Sequence, residues 1–210
     1  FISIKINIIP NVDNMRKAIV SVSDKEDITE LSNFLLGHGF MIYSTGGTYR
    51  AILDGATAKG ISTDNLQKVS DLTGFPEILS GRVKTLHPHI YAGLLSDSSN
   101  ETHQAEMKEL GLDKIDLVVC NLYPFVSSPS IETIDIGGVT LLRAGSKNYK
   151  DVVVLSSPSQ YGKFMTKITN GSDVLGYNES ERKCLAEYAF SSVSEYDNQI
   201  AKFMGTDKGK

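Results

Sequence analysis

The spacing of apolar residues changes period repeatedly along this chain. Lys17–Val22 (KAIVSV) is a short β-branched run, as expected for a strand buried in a parallel sheet. The following stretch, DKEDITELSNFLLGHG, carries Ile28, Leu31, Phe34 and Leu35 at helical spacing; Asp24 is placed to cap that helix, and Gly37 and Gly39 to end it. Phe40–Ser44 (FMIYS) reads as a second strand, and TGGTYRAIL opens a helix. NLQKVSD predicts a third strand and HIYAGLLS a fourth. THQAEMKELGL is an amphipathic helix, and Lys114–Leu122 (KIDLVVCNL) is the most strand-like segment of all, a fifth strand. GGVTLLRAGS reads as helix, DVVVLSS as strand, and the chain from Ser157 onward as mostly helix.

Alternating strands and helices predict an α/β fold: a three-layer, mostly parallel sheet with helices on both faces. No internal repeat, low-complexity run or linker divides the chain, so residues 15–205 are expected to form a single domain. The first 14 residues, FISIKINIIPNVDN, lack the small-residue cleavage site of a signal peptide. Two readings stay open for them: a non-native or disordered extension ahead of a natural start at Met15, or an extra edge strand.

Composition narrows the class. With 210 residues, 40% hydrophobic and 22% charged, the chain fits an ordinary soluble globular protein. Its net charge of −4 gives no reason to expect a nucleic-acid or anionic-membrane partner, so any anion must be held by a local site. Cys120 and Cys184 have no metal-ligand spacing and read as free, core-packed thiols in a reducing compartment, which points to the cytoplasm. No apolar run is long enough to span a bilayer.

In a parallel sheet, ligands bind at the carboxyl ends of the strands. After the first strand stands SVSDK, with Ser21, Ser23 and Lys25; after the second stands STGGT, with Ser44, Thr45, Gly46, Gly47 and Thr48. Glycines admit an anion to the backbone, the helix N-terminus offers free N–H groups, hydroxyls add donors and Lys25 adds a charge. Alone, TGGT is a weak signal and reads first as a helix cap with a tight turn. Two such turns at neighbouring strand ends point to a phosphate cradle, although the P-loop pattern is absent.

Further along, GRVKTLHP predicts an extended strap with Arg82 and Lys84 on one side, Thr85 as a donor and Pro88 stiffening the exit. KIDLVVCNL runs into NLYPF, bringing Asn121 and Tyr123 to a strand end. Asp135 lies between Ile134 and Ile136, ahead of Gly137 and Gly138; it can cap the helix starting near Val139 or serve a chemical role, and local evidence leaves both open. Lys147 falls at that helix's C-terminal end, where a cation suits the helix carbonyls.

SVSDK, STGGT, GRVKTLHP, CNLYPF, DIGGVTLLRA and KN, in this order, strongly resemble the inosine-monophosphate (IMP) cyclohydrolase domain of the bifunctional purine-biosynthesis family, which joins this activity to an AICAR transformylase. The resemblance runs from about Met15 to Met204, including the late AEYAF and YDNQIAKFM, and implies a methylglyoxal-synthase-like fold. It implies closure of 5-formamidoimidazole-4-carboxamide ribonucleotide (FAICAR) to IMP with loss of water, the last step of de novo purine synthesis, without metal or other cofactor. It implies catalytic positions at Lys84, Tyr123, Asp135 and Lys147. The partners implied are the nucleotide substrate and product and a second copy of the chain as a homodimer. The family's transformylase domain has no counterpart here, which fits either a stand-alone enzyme or an excised domain.

The chain departs from the family pattern in the short VSSPSIETI segment before DIGG, and in RAGSKN, where Gly145 stands in place of alanine and costs the helix ~1 kcal/mol. His87 and His89 are read as packing or loop residues, His38 and His103 as solvated, and Tyr43, Tyr49 and Tyr91 as packing residues. Two other readings of the same cradle stay open. A methylglyoxal synthase would act on a triose phosphate, against which GRVKTLHP and NLYPF speak. A non-catalytic effector-binding module would have no need of Lys84, Tyr123, Asp135 and Lys147 together.

Overall fold

The computed structural model describes residues 15–169 and 174–205; the question of an extension at residues 1–14 lies outside them. Five strands, β1 (Lys17–Val22), β2 (Met41–Ser44), β3 (Leu66–Lys68), β4 (Leu117–Asn121) and β5 (Val153–Leu155), form one sheet in the order β3-β2-β1-β4-β5. Every pairing is parallel, which is stricter than the mostly parallel sheet expected.

The strands are short and β-branched because both faces are covered. Ala18, Val20, Leu117, Val119, Val153 and Leu155 face one apolar layer with Leu31 and Leu35 of α1 (Ile28–Gly37), Ile52 of α2 (Gly46–Ala58) and Phe164 of α7 (Tyr161–Thr169). Ile19, Val118, Cys120 and Val154 face the other. They meet Ile90 and Leu94 of α4 (Pro88–Leu95), Leu141 and Leu142 of α6 (Gly137–Lys147), and Ala189 and Val193 of α8 (Glu179–Gly205). Helices α3 (Val69–Thr73) and α5 (Glu101–Glu109) lie in the connections. Three layers follow directly from this alternation of β-residues between two apolar faces.

Several expectations need correction. HIYAGLLS is α4, not a strand, so KIDLVVCNL supplies the fourth strand and not the fifth. Pro88 opens that helix at its first position, where a missing N–H costs nothing, and His87 Nδ1 accepts from the His89 N–H. An apolar run of this length is ambiguous by period alone. Asp24 does not cap α1: its Oδ1 accepts from the Glu26 N–H, and Asp27, at φ 53°, takes the N-cap position. Phe34 is only half-buried and stacks on His38, with ring centroids 3.9 Å apart. His103 is half-buried, its Nδ1 accepting from the Asp97 N–H. Cys120 is buried as expected, whereas Cys184 is exposed; both are free thiols.

Gly145 also has a different meaning from the one its helix propensity suggests. A Cβ there would stand 2.8 Å from Val154 Cγ2 and 3.0 Å from Val118 Cγ2, so α6 lies against the sheet at a distance only glycine permits. Gly145→Ala is therefore expected to destabilise the fold by about 1–3 kcal/mol through overpacking, despite alanine's better propensity. Gly162 of α7 has open space at the same point, so Gly162→Ala is expected to stabilise by about 0.5–1 kcal/mol. Urea unfolding of the two variants should move the midpoint in opposite directions; equal shifts would contradict the packing argument.

Candidate active site

The sheet order makes β1 central, with the chain winding outward through β2 and β3 on one side and β4 and β5 on the other. A crevice opens at the carboxyl ends of β1 and β4, where the winding reverses. A cleft of about 740 Å³ occupies this place.

Its floor is the pair of turns after β1 and β2. The Thr48 hydroxyl ties them together, donating to the Val22 carbonyl at 3.0 Å and facing the Val22 N–H at 3.2 Å. Ser21 Oγ lies 3.2 Å from Thr45 Oγ1. Gly46, at φ +45°, turns the chain into α2, and Thr45 at the N-cap makes no side-chain bond to the first turn. The N-terminal N–H groups of α2 thus lack a cap from their own N-cap residue, the arrangement that suits an external anion. Lys25 stands beside Gly47, its Cε 3.8 Å from where a Cβ would be.

Asn121 fixes the third side. Its Oδ1 accepts from the N–H groups of Ser23 (2.8 Å) and Asp24 (2.9 Å), and its Nδ2 donates to the Asp24 carbonyl at 2.9 Å. One amide at the end of β4 therefore holds the turn that carries Lys25. Tyr123, two residues on, is 39% exposed and lines the cleft wall.

The opposite wall is the segment around Arg82 and Lys84. It is not the extended strap expected. Leu79, Ser80 and Gly81 have φ of 53°, 55° and 87°, a tight left-handed reversal closed by the Ile78–Val83 bridge. Such non-glycine conformations cost about 1–3 kcal/mol each and persist where the surroundings impose them. The reversal delivers both cations to the cleft. Arg82 pairs with Glu132, and Lys84 Nζ sits 2.7 Å from Glu77 Oε2 and 3.5 Å from where a Cβ on Gly46 would be. Thr85 is buried at the same wall.

Asp135 stands where α6 begins, next to Gly137. Its Oδ1 accepts the Gly138 N–H at 2.7 Å, and a Cβ on residue 138 would lie 2.5 Å from Oδ2, so the carboxylate folds over the helix start only because glycine is there. Burial pushes this carboxyl above its ordinary pKa, with the Gly138 N–H pulling the other way. Asp135 is thus bonded to the first turn of α6 and is also a desolvated base lining the cleft.

Of the positions singled out in the sequence, Ser21, Ser23, Lys25, Thr45, Gly46, Gly47, Thr48, Arg82, Lys84, Thr85, Asn121, Tyr123, Asp135 and Gly137 all border this one cleft. Two do not. The Ser44 hydroxyl is buried and donates to the Val20 carbonyl at 2.7 Å. Lys147 is exposed at the far end of α6. The sequence reading missed Glu77 and Glu132, the carboxylates that hold the two cleft cations; their partners lie 7 and 50 residues away, with no local pattern to reveal the second. Among the described residues no cluster of three or more His, Cys, Asp or Glu could hold a metal ion, and no helix is long and apolar enough to cross a membrane.

Known proteins place this geometry. The family model for MGS-like domains matches residues 27–147, and that for the AICARFT/IMPCHase bienzyme matches residues 145–210. The chain is 43% identical over 199 residues to the bifunctional purine biosynthesis protein PurH of Ruminiclostridium cellulolyticum, covering 90% of this chain and 37% of that one. It is 44% identical over 203 residues to PurH of Staphylococcus aureus, covering 92% of this chain and 39% of that one. The chain therefore spans well under half the length of these relatives. The crystal structure of ForH superposes with a TM-score of 0.78 at 33% identity, over 90% of this chain and 99% of the other. With more than half of its residues inside the first match, and a parallel sheet whose strand ends carry the cleft, this chain belongs to the MGS-like domain family.

Proposed function

We propose that this protein is an IMP cyclohydrolase, closing FAICAR to IMP with loss of water. The observation that carries the reading is a half-buried, desolvated carboxylate, Asp135, lining the same cleft as an anion cradle and two further cations. A nucleoside monophosphate matches this layout: its phosphate fits the cradle of Gly46, Gly47, Thr48 and Lys25, and its base extends toward Asp135.

The chemistry needs few groups. The carboxamide nitrogen attacks the formyl carbon, and an N–C bond forms as the formyl C=O opens to a single bond. Asp135, with its raised proton affinity, is placed to accept the proton leaving the carboxamide nitrogen. Negative charge developing on the formyl oxygen is met by a cation and a hydroxyl, the roles assigned to Lys84 and Tyr123. The oxygen then departs as water: protonated Asp135 gives its proton to the oxyanion, the freed carboxylate takes the formamido nitrogen's proton and passes it to the resulting hydroxyl, the C–O bond breaks, and the ring C=N bond forms. Arg82 acts as a positioning fork. On binding, substrate would displace Glu77 and Glu132 from the two cations. Lys147 lies outside the cleft of the single chain and is given no step.

The direct test is an absorbance assay for IMP formation from FAICAR, in which no turnover by folded protein would refute the reading. Lys25→Ala should weaken IMP binding at least about tenfold, the scale of a lost charge-assisted bond, and leave inosine binding unchanged. Equal losses for both would move the phosphate elsewhere.

Asp135→Asn separates base from cap. The amide keeps an oxygen for the Gly138 N–H but cannot take the proton, so turnover should fall by about 10²–10⁴. Stability should move the other way. Because burial raises the folded-state pKa above the unfolded one, the folded state holds the proton more tightly, and the ionised carboxylate destabilises the fold at neutral pH. At pH 7 Asp135→Asn should melt at or above the wild-type temperature, with any gap closing as pH falls through the raised pKa toward the ordinary carboxylate value. A variant that cyclises at the wild-type rate would make Asp135 a cap alone.

A further inference from the structure

Asp135 is aimed from outside its own loop. The Tyr196 hydroxyl, on α8, accepts a hydrogen bond from the Asp135 N–H at 2.7 Å and donates one to the Thr133 carbonyl at 3.1 Å. One phenol oxygen therefore grips two backbone groups of the same loop, two residues apart, using both its acceptor and its donor capacity. The ring that carries it is 4% exposed and meets Phe125 edge-on, with centroids 6.1 Å apart. Phe125 in turn meets Phe203 of α8 edge-on at 5.5 Å. The hydroxyl is thus fixed by a rigid aromatic seat and not by a flexible arm.

The loop needs such a hold. Val126, Ile131 and Ile136 are exposed, and Ser130 and Thr133 bond chiefly within the loop. Among the described residues, its hydrogen bonds to other elements include those of Tyr196, those to the first turns of α6 (the Gly138 N–H to Asp135, and the Thr140 N–H and hydroxyl to the Ile136 carbonyl), and the exposed Arg82–Glu132 pair. The Arg82–Glu132 pair is the one that substrate would displace.

We propose that Tyr196 is a positioning residue for ring closure: it sets the height and aim of the Asp135 carboxylate over the cleft without touching substrate. The inference rests on the cyclohydrolase reading for its kinetic consequence but not for its structural one. A general base must meet its proton within hydrogen-bond reach, and a displacement of about 1 Å can cost a hundredfold in rate. Tyr196 sits 61 residues from Asp135 in the chain, so α8 is part of the catalytic apparatus through this one hydroxyl.

Tyr196→Phe removes the oxygen and keeps the ring. The titratable side chains electrostatically coupled to Asp135 are Cys120 of β4, Tyr91 of α4 and Tyr196 itself, all uncharged at neutral pH, and the charged groups sharing its cleft are Lys25, Arg82, Lys84 and Glu132, with Tyr123 neutral beside them; Tyr196→Phe removes none of these charges. Expected in the variant are a kcat lower by about tenfold to a hundredfold with KM nearly unchanged, and an acid limb of the pH–rate profile shifted to lower pH as water reaches the carboxylate. Carboxyl NMR titration of Asp135 should show the same downward shift, and it reads the proposal even if the wild type forms no IMP. The double variant with Asp135→Asn should be no slower than Asp135→Asn alone. In the wild type, the Asp135 amide should exchange slowly with solvent for a loop position, a measurement that needs no variant. An unchanged titration midpoint and kcat in Tyr196→Phe, additive losses in the double variant, or rapid wild-type exchange at Asp135 would each overturn the proposal.

Discussion

The side-chain amide of Asn121 is the fastening on which the site depends. It stands at the end of β4 and takes three hydrogen bonds with the turn that follows β1. Those two strands are neighbours in register from Ala18 with Leu117 to Val22 with Asn121, yet they are 99 residues apart in sequence. A parallel sheet has no turn to join such ends, and the crevice between them is where backbone groups run out of sheet partners. Asn121 satisfies two of those N–H groups and one carbonyl, and so turns a gap at the switch point into a rigid wall of the cleft.

Around that wall the fold sets two helix N-termini, α2 at Gly46 and α6 at Gly137. Both offer N–H groups and the positive end of a dipole, but they are treated differently. At α6 the protein supplies its own anion, Asp135, bonded to the Gly138 N–H. At α2 the N-cap residue makes no such bond and Lys25 stands alongside. A ligand that is anionic at one end and gives up a proton at the other suits this asymmetry. Desolvation of Asp135 costs the fold stability at neutral pH and makes the carboxylate a stronger base, which suits the role proposed for it.

Much of this was legible in the sequence because its signals are local. The β-branched runs at Lys17–Val22 and Lys114–Leu122 marked two of the strands, with β4 beginning at Leu117; SVSDK and STGGT marked two strand-end turns that both line the cleft, because hydroxyls and glycines follow the strand signal directly. HIYAGLLS failed as a strand because eight apolar-rich residues fit either period, and Pro88 at its start is a helix signal as much as a stop. Gly145 was read by propensity, whereas its role is the distance between α6 and the sheet. Glu132 and Tyr196 could not be found at all: their partners are set by tertiary contact, and nothing near them in the chain marks the pairing.

The central claim is an orientation, with phosphate at the start of α2 and base at Asp135. A crystal structure of the protein with IMP tests it most directly. The account predicts phosphate oxygens within hydrogen-bond distance of the Gly46–Thr48 backbone and of Lys25, with the hypoxanthine ring between Lys84 and Asp135. A phosphate held by Arg82 and Lys84 instead, with the base over the TGGT turn, would contradict it.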